Sequence, residues 1–190
     1  MKIIIAGDSY SAETDERLLS KKQYTLPHHS WAVEMRKLLP LTNVARPGLS
    51  MRDIKQSLTN RSWDLAIINL TTLHRVSIHD PVDTPHKLIS DNMKIAQELI
   101  SLPNAYCWSP FPEWENDEGV DTIIQPLDDE LWWINDKNQC NKVTGNHFTR
   151  AGNNKILKHM LYVIRDKKSQ ALRAKLETMD DEPRDFEKNK

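Results

Sequence analysis

Cysteine is almost missing: Cys107 and Cys140 are the only two in 190 residues. Two thiols cannot build a disulfide framework or a four-cysteine zinc site, and reduced cysteines in a reducing compartment are expected. Charge of one sign is also missing. Lys and Arg number 26 against 27 Asp and Glu, for a net charge of -1. This balance gives no general pull toward a nucleic-acid backbone and no acidic solvating tail. Long apolar runs are absent as well. The N-terminal run Ile3–Ala6 is shorter than a signal-peptide core and far shorter than the ~20 residues that cross a bilayer. The expectation is a cytoplasmic protein with no membrane and no nucleic-acid partner. Glycine is scarce too, with 5 residues, so each one marks a place worth explaining. No Gly-x-Ser-x-Gly elbow occurs, which disfavours the ordinary α/β-hydrolase arrangement.

What is present is an alternation. Four short apolar segments, Lys2–Ala6, Thr42–Ala45, Asp64–Asn69 and Asn104–Trp108, read as strands. Between and after them lie stretches of helical period. Trp31, Ala32, Met35, Leu38 and Leu39 form one face; Met51, Ile54 and Leu58 a second; Ile89, Met93, Ala96 and Ile100 a third. Ile156, Leu157, Met160, Leu161 and Ile164 form the last. Strands alternating with helices pair in parallel through crossovers, so the prediction is a three-layer α/β/α sandwich. A chain of this length suits one domain that buries about 70% of its unfolded surface, placed at residues 1–165.

Residues 109–141 interrupt the alternation as an irregular insertion with Pro110, Pro112 and Pro126. Trp108, Trp114, Trp132 and Trp133 fall in or beside it, four of the six tryptophans. They either stack on sugar rings or fill a core. Residues 166–190 read as a charged helical extension and tail: Leu172, Leu176 and Met179 keep a helical spacing until Pro183 ends it. That extension is either a solvated helix or a face on which a second copy docks.

Parallel sheets collect strand ends on one edge, and three segments place reactive groups there. Gly7-Asp8-Ser9 follows the first strand. Gly7 permits a tight turn, Asp8 is a turn-stabilising residue, and Ser9 offers a hydroxyl. Gly48 follows the second strand in Arg46-Pro47-Gly48-Leu49 and can present its backbone N–H to a ligand. Asn69-Leu70-Thr71-Thr72-Leu73-His74-Arg75 follows the third and brings an amide, two hydroxyls, an imidazole and a guanidinium. Late in the chain, His147 immediately precedes the last helical pattern. A serine near the start and a histidine near the end are what a nucleophile and its base require. His74 and Arg75 serve either an anionic group on a substrate or a structural ion pair. The histidines and acids of His79–His86, with His28-His29, match no ligand spacing, so neither a metal nor any other cofactor is expected.

Gly7-Asp8-Ser9, a glycine after the second strand, a polar residue after the third and a late histidine together resemble the SGNH/GDSL hydrolase superfamily. The resemblance spans residues 1–164 through short motifs. It implies a flavodoxin-like sandwich and a serine esterase mechanism: Ser9 as nucleophile, His147 as general base, and an oxyanion hole from the N–H groups of Ser9 and Gly48. Two positions depart from the pattern. Thr71 stands where the family has an asparagine, so the third oxyanion donor is either the Thr71 hydroxyl or the Asn69 amide. Thr144 stands where the family has the aspartate that orients the histidine; Asp136 is the nearest preceding acid. The resemblance implies a small-molecule or carbohydrate ester as substrate, such as an O-acetyl group. A compact chain with a charged tail also suits a bacteriophage protein, hence a virion-associated location as a second expectation. The rival reading is a non-catalytic member of the fold, a binding or structural protein.

Overall fold

Isoleucines at four-residue range show how the sheet is built. In the first strand, Ile3 and Ile5 face one side, and Ile4 and Ala6 the other, all at 3% exposure or less. A strand covered on both faces is apolar throughout rather than alternating. The computed structural model describes residues 1–12, 30–76, 85–114, 116–122, 133–134, 147–148 and 150–180.

Five strands form the main sheet: β1 (Ile3–Ala6), β2 (Leu41–Asn43), β3 (Leu65–Asn69), β4 (Ala105–Ser109) and β5 (Val120–Thr122). Their order is β2-β1-β3-β4-β5, every pairing parallel. This is the flavodoxin-like order. A separate antiparallel pair joins β6 (Trp133–Ile134) to β7 (His147–Phe148). The helices are α1 (Trp31–Leu38), α2 (Met51–Leu58), α3 (Pro85–Ile100) and α4 (Arg150–Asp180). Among the described residues, no helix is long and apolar enough to cross a membrane.

Two apolar layers sandwich the sheet. On one face, Trp31 and Met35 of α1 and Ile156, Met160 and Ile164 of α4 pack on Ile3, Ile5, Leu65, Ile67 and Trp108. On the other, Met51, Ile54 and Leu58 of α2 and Ala96 and Leu99 of α3 pack on Ile4, Ala6, Ala66 and Ile68. Helix starts are set locally. Ser30 caps α1 by accepting from Val33 N–H, and Ser50 with Asp53 forms a capping box on α2. Asn153 of α4 also accepts from the Trp31 N–H at 3.1 Å, tying α4 to the start of α1.

Two sequence expectations meet a different structure. The stretch 109–141 is not wholly irregular: its Val120–Thr122 segment is the fifth strand and the sheet's edge. The second strand begins at Leu41 rather than Thr42 and ends at Asn43, although Val44 N–H still bonds Ile5 C=O at 2.8 Å. The last helix runs unbroken through residue 165 to Asp180, 31 residues or about 46 Å. Leu172, Leu176 and Met179 all lie on it. Trp108 and Trp114 are fully buried. Trp108 meets Trp31 edge-on at 5.9 Å, so these two rings pack the core and expose no face to a sugar.

Candidate active site

α1 covers one face and α3 the other, so the connections leaving β1 and leaving β3 diverge to opposite sides. A crevice opens where they part, at the C-terminal ends of β1 and β3. Gly7 and Asn69 stand there side by side. A Cβ on Gly7 would lie 2.6 Å from Asn69 Cβ, and Gly7 holds φ at +150°. Glycine is needed at this position for both reasons.

The turn that follows is tightly organised. Asp8 C=O accepts from Ser11 N–H at 3.1 Å and Ala12 N–H at 3.0 Å, while Asp8 Oδ1 accepts from Tyr10 N–H at 3.1 Å. Ser9 rides on top, half-buried, with Gly7, Asp8, Tyr10 and Ser11 buried around it. Two bonds hold the turn from outside: Trp31 Nε1–H to Tyr10 C=O at 2.8 Å, and Asn43 Nδ2–H to Ser11 C=O at 2.9 Å. The Tyr10 ring adds an edge-on contact with Phe111 at 5.4 Å.

The loop after β2 comes alongside through Arg46 N–H, which bonds Gly7 C=O at 3.1 Å. Two residues on, Gly48 sits half-exposed at φ +80°, with open space where a Cβ would be. Proline before a glycine at that angle fits a type II turn. Among the described residues, no acceptor bonds the backbone N–H of Ser9 or of Gly48. Both donors stay available to an incoming group.

The loop after β3 is different. Asn69 and Thr71 are fully buried. The Asn69 amide donates to Leu70 C=O at 3.3 Å, and among the described residues Asn69 Oδ1 and Thr71 Oγ1 have no hydrogen-bond partner. Neither side chain is open to solvent at the crevice. Thr72 is half-exposed, and its hydroxyl oxygen accepts from His74 N–H at 3.4 Å. His74 is exposed and Arg75 half-exposed, with Arg75 Nε buried and without a hydrogen-bond partner among the described residues.

Polar side chains that sequence periodicity did not single out brace this loop. Asn92 of α3 donates to Leu73 C=O at 2.7 Å and to Arg75 C=O at 3.0 Å. Glu113 accepts from Leu73 N–H at 2.6 Å, and Trp114 Nε1–H donates to Thr71 C=O at 3.2 Å. Ser109 Oγ–H donates to Leu70 C=O at 3.0 Å. One signal was readable: Asn92 interrupts a helix face otherwise spaced for burial.

Asp8 is the electrostatic anomaly of the site. Burial pushes its carboxyl up to about 6, against the smaller lowering effects of the Tyr10 N–H, the Thr71 hydroxyl and the Arg75 charge. Among the described residues, its second oxygen, Oδ2, has no hydrogen-bond partner. Burial likewise raises the Tyr10 hydroxyl.

His147 lies on β7, where it pairs with Ile134, and α4 begins three residues later. Thr144, Asp136, Cys140 and Trp132 lie outside the described residues, as do His28, His29 and the segment 77–84. Among the described residues, no three His, Cys, Asp or Glu side chains converge as a metal site requires.

No family model and no curated protein matches the chain. One solved structure, described as a carbohydrate esterase whose active site displays divergent catalytic and non-catalytic binding functions, aligns over 86% of this chain and 68% of its own. The two are 14% identical, with a TM-score of 0.47.

Proposed function

We propose that the chain is a serine hydrolase of SGNH/GDSL type that cleaves an ester, such as an O-acetyl group on a carbohydrate or small molecule. One observation carries this reading: a half-exposed serine on a hydrogen-bonded turn at the β1/β3 crevice, with the N–H groups of Ser9 and Gly48 on adjoining loops bonded to no acceptor among the described residues. Ser9 attacks the acyl carbon, and His147 takes its proton. The oxyanion that forms is held by the Ser9 and Gly48 N–H groups. As it collapses, the ester C–O bond breaks and protonated His147 gives its proton to the leaving alcohol. Water activated by the same, now neutral, histidine then releases the acyl group from Ser9 as the free acid. A donor of this kind contributes on the order of 3 kcal/mol to the transition state. The exposed His74 and the half-exposed Arg75 meet an anionic part of the substrate.

The buried Asn69 and Thr71 side chains favour a second reading, a binding protein that keeps the turn but lacks a third oxyanion donor. Hydrolysis of 4-nitrophenyl acetate separates the two. The hydrolase reading expects turnover that Ser9→Ala abolishes while the thermal midpoint stays put. Turnover equal in wild type and Ser9→Ala, or none in either, supports the binding protein.

A further inference from the structure

The loops flanking the crevice carry a pair of polar atoms that the chemistry above does not use. Asp8 Oδ2 and Thr71 Oγ1 are both fully buried and, among the described residues, both without a hydrogen-bond partner, on adjoining loops. An orphaned buried polar atom is costly enough that two neighbours rarely ignore each other. The Thr71 hydroxyl already acts on the Asp8 carboxyl at its present distance. Asp8 Oδ1 is committed to Tyr10 N–H at 3.1 Å, so Oδ2 is the oxygen that exchanges a proton.

A threonine hydroxyl has one hydrogen to give. With Asp8 ionised, that hydrogen goes to Oδ2, and the carboxylate holds Tyr10 N–H through a charge-assisted bond, the stronger kind. When a proton from solvent binds Oδ2, the carboxyl becomes the donor and Thr71 Oγ1 the acceptor. The bond to Tyr10 N–H then loses its charge assistance. Among the described residues, the groups facing this carboxyl are Tyr10 on its own turn and Thr71 and Arg75 on the loop after β3. Arg46, on the loop after β2, points its guanidinium at Ala45 C=O, 2.9 Å away.

We infer that Asp8 is a positioning residue for Ser9: ionised, it straps the serine-bearing turn to Thr71, and protonated, it loosens that strap. The role of Ser9 rests on the hydrolase reading; the strap itself does not. Burial holds the carboxyl near 6, so the change falls within an ordinary working range.

Indole N–H resonances provide the test, because tryptophans report on both halves of the strap. Trp31 Nε1–H bonds Tyr10 C=O, and Trp114 Nε1–H bonds Thr71 C=O. Trp63 Nε1–H bonds Pro103 C=O away from the crevice and is the internal reference. In ¹⁵N-labelled wild type, the Trp31 and Trp114 indole signals should move together with a midpoint near 6, while Trp63 stays still. Asp8→Asn keeps an acceptor for Tyr10 N–H and a donor for Thr71, and should hold both signals flat. Signals that stay flat in wild type, or that titrate equally in Asp8→Asn or in Trp63, overturn the proposal. Where turnover is measurable, kcat/KM in wild type should fall more steeply than tenfold per pH unit below 6. Asp8→Asn should show only the tenfold slope of a single base. Equal slopes overturn the positioning role; titrating indoles without turnover leave the strap standing and remove the hydrolase reading instead.

Discussion

Replacing Gly7 with alanine tests the contact that shapes the crevice. The new methyl carbon would sit 2.6 Å from Asn69 Cβ, 3.1 Å from Asn69 C=O and 3.2 Å from Asn69 Oδ1. Carbon atoms in van der Waals contact lie roughly 3.5–4.0 Å apart, so one strand end must retreat by about 1 Å. Neither can do so cheaply. Asn69 ends a central strand bonded to β1 on one side and β4 on the other, and Gly7 C=O holds the β2 loop through Arg46 N–H. Overpacking of this kind costs about 1–3 kcal/mol, and alanine at φ +150° adds a further ~1–3 kcal/mol of backbone strain. The comparison is Gly48→Ala, where φ is +80° but nothing lies within 4 Å; only the left-handed backbone is penalised there, by about 1–2 kcal/mol. Urea unfolding followed by tryptophan fluorescence should rank Gly7→Ala below Gly48→Ala, with the larger loss in midpoint. Adding Asn69→Gly to Gly7→Ala should recover part of the loss, since the clashing carbon is then gone. Equal destabilisation by the two alanine variants, or no coupling with residue 69, would refute the close approach of β1 and β3.

Other consequences concern charge and pH. The Asp8 carboxyl is held near 6 in the fold and near 3.8 when unfolded, so the native state binds more protons between those values. Stability therefore falls as pH rises through that window, by on the order of 3 kcal/mol. Asp8→Asn should flatten this dependence in urea midpoints measured at about pH 4 and pH 7; an unchanged slope contradicts the buried carboxyl. Asp121 behaves in the opposite sense. Its hydrogen bond from His159 at 2.9 Å, then that from Tyr106, outweighs burial and holds its carboxyl below the usual value. That contribution is present above the unfolded carboxylate value and disappears as pH falls through the folded one. Because the Asp121 side chain is 42% exposed, Asp121→Asn should lower stability at neutral pH by no more than about 1 kcal/mol. The gap to wild type should close in acid; a gap that widens there contradicts the pairing.

Much of this fold is legible in the sequence because parallel strands buried on both sides are continuous apolar runs. Ile3–Ala6 and Leu65–Asn69 announce themselves that way. Val120–Thr122 does not, since an edge strand of three half-buried residues with a central Asp has no apolar signature. The positions of Ser9 and Gly48 were readable from glycine scarcity, because Gly7 and Gly48, two of 5 glycines, fall after the first and second strands. The braces were not. Asn43, Glu113 and Asn153 reach backbone 32, 40 and 122 residues away through their side chains, and Asn92 bonds two carbonyls 19 and 17 residues away. No local pattern encodes such separations. The burial of Thr71 was equally hidden, because the loop is held by Ser109 at the end of β4 and by Trp114 in the turn that follows it.

A fluorophosphonate probe followed by peptide mass mapping tests the hydrolase account most directly. The account predicts one adduct, on the hydroxyl of Ser9, formed quickly in wild type, lost in Ser9→Ala and slowed at least a hundredfold in His147→Ala. No adduct on Ser9, or one that forms at the same rate without His147, would contradict it.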